Sequence, residues 1–235
     1  MGPPPPTLLV VTGLQREARV AAGAGVVTLC SGGNPDLLRE RLAAFARTSG
    51  HSKIGGVLSF GLAGGLAGHL RSGDVVISTA VEAGGRHHRA HDGWHENAAS
   101  ALGARLTVHR GTTAGRDMVL VTSSQKIGLH RETGALSVDM ESHIAADYAH
   151  RHGLPFAAIR AVSDPCSRSL PPVAMDALTQ DGKVAIGKVI TGLLRDTGQL
   201  PALIAAGLDS ERAFASLRRC RRLLGPLFGL RSADL

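Results

Sequence analysis

Aromatic residues are scarce in this sequence: one Trp, one Tyr and five Phe among 235 residues. Nucleic-acid binding usually interleaves basic residues with aromatics on which bases stack. The net charge of +7 therefore points to an anionic substrate or an anionic membrane surface, and no nucleic-acid partner is expected. Cysteine is sparse too. Cys30, Cys166 and Cys220 lie far apart with no CxxC pair, which excludes a zinc knuckle and a dithiol redox motif and fits reduced thiols in a cytoplasmic protein. No apolar run approaches the ~20 residues needed to cross a bilayer. The opening run, residues 3–6, has neither the positive charge nor the apolar core of a secretory signal. The expected location is the cytoplasm, with peripheral contact at the inner face of an anionic membrane as the option the basic charge leaves open.

What the sequence does have is length and glycine. A chain of 235 residues can bury a sizeable core without disulfides or a structural metal. One domain over 1–235 is expected, with a basic helical extension over 198–235. The thirty glycines indicate tight turns and close backbone approaches. Short apolar runs read as buried strands over Thr7–Thr12 and residues 25–30, 54–60, 74–81, 118–122, 135–138 and 155–162. Helical spacing marks residues 37–45, 124–133 and 139–152, the last stopped by Gly153. The glycine-rich stretch 61–65 reads as a turn and the polar, histidine-rich stretch 84–97 as a loop. Buried strands alternating with helices imply a three-layer α/β/α fold around a mixed, mostly parallel sheet, in which ligands bind near the carboxyl ends of strands.

Four clusters fall at such ends. Gly13-Leu14-Gln15-Arg16-Glu17 follows the first strand, and Gly61-Leu62-Ala63-Gly64-Gly65 follows a later one. Val138-Asp139-Met140-Glu141-Ser142 opens a helix directly after a strand, and Arg160-Ala161-Val162-Ser163-Asp164 closes another. These motifs, in this order, with Arg71-Ser72-Gly73-Asp74-Val75-Val76 between them, resemble the purine nucleoside phosphorylase and methylthioadenosine/adenosylhomocysteine nucleosidase family. The resemblance covers residues 7–195 or so. Within the family the chain is most similar to the hopanoid-associated phosphorylase branch. That narrower match rests on Thr12-Gly13-Leu14 with Glu17-Ala18-Arg19, residues 138–143, Leu170-Pro171-Pro172, and Gly198-Gln199-Leu200-Pro201 with the Arg-rich tail.

The resemblance implies a phosphorylase/hydrolase-like fold, a homo-oligomer, and cleavage of the N-glycosidic bond of a purine nucleoside. In that chemistry positive charge develops on the ribose. An acid near purine N7 improves the leaving group, a carboxylate orients the sugar, and backbone amides of glycine-rich turns can dock the nucleophile. By resemblance, Asp164 is the acid at N7, Glu141 binds the ribose hydroxyls and Met140 packs on the sugar. Ser123, Ser163, Ala63 and Gly64 surround the base or line the pocket. Glu17 is the carboxylate nearest the family's water-activating position, although an ungapped alignment puts Ala18 there. Phosphorylases of the family carry Arg and Ser for phosphate where this chain has Ser59 and Leu62. A substitute anion site could come from Ser31, Gly32, Gly33 and Arg16, and phosphate is preferred to water as nucleophile on that ground and on the basic charge. No cofactor and no metal are expected beyond phosphate as co-substrate.

The expected reaction is release of adenine from adenosylhopane, by phosphorolysis or hydrolysis, so the partner is a small-molecule nucleoside linked to a lipid. The alternatives are a methylthioadenosine/adenosylhomocysteine nucleosidase and, from another class, a non-catalytic nucleoside sensor on the same fold. Ordinary explanations compete at several positions. An Asp after a strand is commonly a turn residue, and a Glu in a helix's first turn can simply complement the dipole. His87, His91 and His95 have a spacing that could hold a metal on a helical face, but Gly84, Gly85 and Gly93 argue for a loop facing solvent or substrate. Residues 200–224 join an apolar stripe (Leu203, Phe214, Leu217, Leu224) to Arg218, Arg219, Arg221 and Arg222. This helix either packs on the domain or adheres to anionic lipid.

Overall fold

The computed structural model describes residues 7–170 and 200–230; the segments around Pro171-Pro172 and Gly198-Gln199, like the opening proline run, lie outside them. The chain runs β1 (Thr7–Thr12), α1 (Gln15–Ala21), β2 (Val26–Cys30), α2 (Pro35–Ala46), β3 (Ile54–Gly65), β4 (Val75–Ala83) and β5 (Arg86–Arg89). It continues through α3 (Asp92–Gly103), β6 (Val108–Gly115), α4 (Ser123–Thr133), β7 (Ser137–Asp139), α5 (Ser142–Arg151), β8 (Phe156–Asp164) and α6 (Leu200–Leu224).

The strands form one mixed sheet in the order β2-β1-β3-β7-β6-β4-β5, with β8 paired to both β3 and β4. The pairings β3–β8, β8–β4, β4–β6, β6–β7 and β7–β3 therefore close a ring. Both faces are covered, which is why the strands read as unbroken apolar runs. Leu8 and Val10 of β1 face a core built with Trp94 and Leu102 of α3 and Phe214 and Leu217 of α6. Their neighbours Leu9 and Val11 face a second core with Leu38 and Leu42 of α2 and Ile144 and Tyr148 of α5. The result is the expected three-layer α/β/α arrangement.

Three sequence readings need correction. The strand that begins at Ile54 does not turn at Gly61 but continues to Gly65. A Cβ on Gly61 would lie 2.7 Å from the Glu17 carboxyl and 2.8 Å from Arg160 Nη1, so this glycine permits a close approach rather than a turn. Residues 84–97 are not one loop: Gly84 and Gly85, at φ 56° and 78°, turn a hairpin from β4 into β5, and α3 follows. Burial of Trp94, whose indole N–H donates to Phe228 O at 2.8 Å, anchors that helix despite Gly93. Residues 118–122 form no strand. The strand that completes the ring is β6, held to its neighbours partly by buried hydroxyls: Thr113 bonds Ser78 at 2.7 Å and Ser137 at 2.9 Å.

The C-terminal helix is part of the core. Phe214, Leu217, Cys220 and Leu224 are buried in the first cluster, so most of the stripe packs on the domain and does not face a bilayer. Leu203 is half-buried, Arg218, Arg219 and Arg222 are exposed, and Arg221 turns back to donate to Ala21 O at 3.2 Å. Among the described residues no helix is long and apolar enough to cross a membrane.

Candidate active site

The ends of β1, β3, β7 and β8 meet around a cavity of about 290 Å³. On its floor, α1 begins immediately after β1, which folds Glu17 back over its own N-terminus. Gly13 N–H and Leu14 N–H donate to Glu17 Oε2 at 2.8 Å each, and Leu62 N–H donates to Oε1 at 2.8 Å. Burial pushes the Glu17 carboxyl above its ordinary value, while the Leu62 amide, Arg160 and the other two amides act against that rise.

Asp139 ends β7 and caps α5, accepting at Oδ1 from the N–H of Glu141 (3.0 Å) and of Ser142 (2.8 Å). Its Oδ2 accepts from Arg160 Nε at 2.7 Å. Arg160 is wholly buried and also donates to the hydroxyls of Ser59 and Ser142. Ser59, which stands at a phosphate-gripping position by resemblance, thus holds an arginine. Glu141 projects between these groups. Its Oε1 accepts from Ser31 Oγ at 2.9 Å, and its Oε2 lies 3.7 Å from Arg160 Nη1. Burial pushes its pKa to about 7, opposed by Arg160 and assisted by the negative charges of Asp139 and Glu17. A Cβ at Gly13 would sit 2.8 Å from Glu141 Oε1, so only glycine lets this carboxylate reach its place.

Across the cavity, Asp164 ends β8. Ser163 Oγ donates to Asp164 Oδ1 at 2.5 Å, and the Lys126 ammonium donates to Oδ2 at 2.5 Å. Burial raises the Asp164 carboxyl and Lys126 opposes the rise. Three carboxyl groups raised by burial, those of Glu17, Glu141 and Asp164, therefore line one cavity, an arrangement suited to acid–base work.

Of the residues singled out in the sequence, Asp164, Glu17, Met140, Glu141, Ser163, Ala63, Gly64 and Gly33 line the cavity. Ser31 lies behind Glu141. Gly32 is outside the lining, and the Gly33 N–H is spent inside the turn on Gly13 O and Ser31 Oγ at 3.1 and 3.0 Å. Arg16 turns away, paired with Glu211 of α6 and stacked 4.0 Å from the Phe214 ring. Ser123 is half-buried at the start of α4, outside the cavity lining, where its N–H bonds Ser169 Oγ at 3.1 Å, and the mouth is instead formed by Met118, Val119 and Leu120. His87, His88 and His91 line a separate cleft, and among the described residues no group of three His, Cys, Asp or Glu gathers as for a metal. Arg160, Asp139 and Lys126 were not singled out as site residues. Arg160 had a signal, a charge inside the apolar strand Phe156–Asp164, which must find partners when buried.

The family model of the phosphorylase superfamily matches residues 10–195. The chain belongs to that superfamily and is an enzyme of the nucleoside phosphorylase and nucleosidase class. Its fold is similar to that of the Helicobacter pylori 5′-methylthioadenosine/S-adenosylhomocysteine nucleosidase, with a TM-score of 0.62 at 14% identity over 81% of this chain and 98% of that one. The futalosine hydrolase of Helicobacter pylori gives 0.63 at 14% identity, covering 81% and 98%. The corresponding nucleosidase of S. pneumoniae gives 0.58 at 17% identity, covering 90% and 98%.

Proposed function

We propose that this enzyme releases adenine from adenosylhopane by breaking its N-glycosidic bond. The observation that carries the reading is the division of the cavity. Asp164 and Glu141 face it from the ends of different strands, while Leu14, Met118, Val119, Leu120, Leu170 and Ala206 wall it with apolar surface. Adenine fits beside Asp164, the ribose hydroxyls against Glu141, and a triterpenoid on the 5′ side against the apolar mouth. Met118 is 75% exposed there, and Ile204 and Leu208 are exposed on the helix whose Ala206 and Ser210 line the cavity. Such surfaces suit a substrate met at a membrane, with Arg218, Arg219 and Arg222 drawn to anionic lipid.

Water is the nucleophile in this reading, contrary to the preference for phosphate drawn from the sequence. The three amides that could cradle an anion, those of Gly13, Leu14 and Leu62, already hold the Glu17 carboxylate. Ser59 and Arg16 are likewise engaged with Arg160 and Glu211. A phosphate would have to displace one buried anion with another, whereas a water can donate to Glu17 and attack the ribose carbon. The test is adenine release from adenosylhopane with and without phosphate, against methylthioadenosine as comparison. Equal release in both buffers is expected. Release from methylthioadenosine alone would favour a nucleosidase of the kind its structural neighbours represent, and strict phosphate dependence would refute the choice of water.

A further inference from the structure

We propose that the proton given to the purine is held by Lys126 and Asp164 as a unit, Lys126 being the positioning residue behind the acid. The inference rests on the purine-nucleoside reading above. Lys126 is wholly buried and outside the cavity lining, whereas Asp164 lines it. The ammonium has three N–H groups and three acceptors: Asp164 Oδ2 at 2.5 Å, Arg168 O at 2.8 Å and Pro165 O at 3.5 Å. Lys126 thus ties α4 to the end of β8 and to the segment after it, and fixes the carboxyl at the cavity wall.

The other charge facing this carboxyl is Asp209 of α6, itself held by Arg168 and Arg212. Ser163 supplies a neutral donor on the opposite oxygen. As ammonium and carboxylate, or as amine and carboxylic acid, the pair carries no net charge, the form that a desolvated site tolerates. Asp164 alone can hold a proton only below its own pKa. The pair retains one transferable proton until the ammonium gives it up.

The step balances. The C1′–N9 bond breaks and its electron pair passes to the purine. Asp164 takes the shared proton from Lys126 Nζ and passes it to N7, leaving an amine and a carboxylate. Water forms the new bond to C1′ and passes its proton to Glu17, and the pair regains one proton from solvent before the next turnover.

The experiment is kcat/KM for purine release against pH for the wild type, Lys126→Met and Asp164→Asn, with thermal unfolding as the check on folding. The wild type is expected to hold its plateau into the alkaline range. Lys126→Met should bring the alkaline limb down into the range of a buried carboxyl, with about tenfold lost per pH unit above it, and Asp164→Asn should be low throughout by ~10²–10⁴. A Lys126→Met limb at the wild-type position or above it overturns the inference, because removing a cation that merely stabilised the carboxylate would move the limb upward. Should Lys126→Met not fold, the wild type decides: an alkaline loss centred at or below about pH 7 overturns the proposal. These outcomes leave the functional reading standing; a wild type that releases no purine from any nucleoside removes both.

Discussion

Burial holds the Glu141 carboxyl at about 7 rather than its ordinary 4.5, so between those values the folded chain keeps a proton that the unfolded chain has lost. Stability linked to Glu141 is therefore full below the unfolded value and is lost as pH rises through the folded one. The slope is about 1.4 kcal/mol per pH unit and the total on the order of 3 kcal/mol. Glu141→Gln removes the charge, keeps the size, and leaves Ser31 Oγ free to accept from the new amide. The variant should be the more stable protein at about pH 8, and the gap should close towards about pH 5. Glu17 and Asp164 are also raised by burial and add slopes of the same sign; Asp164 is common to both proteins and cancels in the difference, whereas Glu17 loses a neighbouring charge in the variant. Activity should move the other way. The ionised carboxylate accepts from the ribose hydroxyls, so wild-type kcat/KM should fall as pH drops through about 7. The variant should be slower throughout, lack that acidic limb, and discriminate poorly between ribose and 2′-deoxyribose. Urea unfolding across the pH series and adenine release from the two sugars measure both halves. A stability gap that does not change with pH, or an acidic limb that survives in Glu141→Gln, would refute the reasoning.

Three further outcomes are expected. Gly13→Ala should fold yet lose at least about tenfold in kcat/KM, because the new methyl occupies the place of Glu141 Oε1 and misplaces the sugar; circular dichroism with the release assay checks it. Leu217→Ala should cost about 2–5 kcal/mol in urea unfolding, since Leu217 is wholly buried between α6 and the sheet, and a change under about 1 kcal/mol would contradict the packing of that helix. Replacing Arg218, Arg219 and Arg222 by Gln should weaken salt-sensitive binding to anionic vesicles; sedimentation that detects no wild-type binding at low salt would dismiss the membrane contact.

The linear sequence was enough for the strands buried on both faces, because a run such as residues 8–11 is apolar at every successive position, as a covered sheet requires. It was also enough for the positions of Glu17, Glu141 and Asp164 at the ends of strands. It could not disclose β6, which buries only Thr113, Ala114 and Gly115 and so has no apolar stripe, because Thr113 looks polar until Ser78 and Ser137 are beside it. Nor could it disclose that Gly61 serves an approach rather than a turn, since the groups it admits, Glu17 and Arg160, lie 44 and 99 positions away in the chain. The tail shows the same limit. Phe214 and Leu217 at helical spacing are compatible with a bilayer or a protein core, and only the presence of Leu8, Phe60 and Trp94 against them decides for the core. Charges are the extreme case: Arg16 and Lys126 both sit in the first turn of short helices, yet tertiary contacts send one to Glu211 at the surface and bury the other against Asp164. Local pattern sets which face of an element is apolar; which charge meets which is decided by elements distant in the chain, and that pairing is where the chemistry of this site resides.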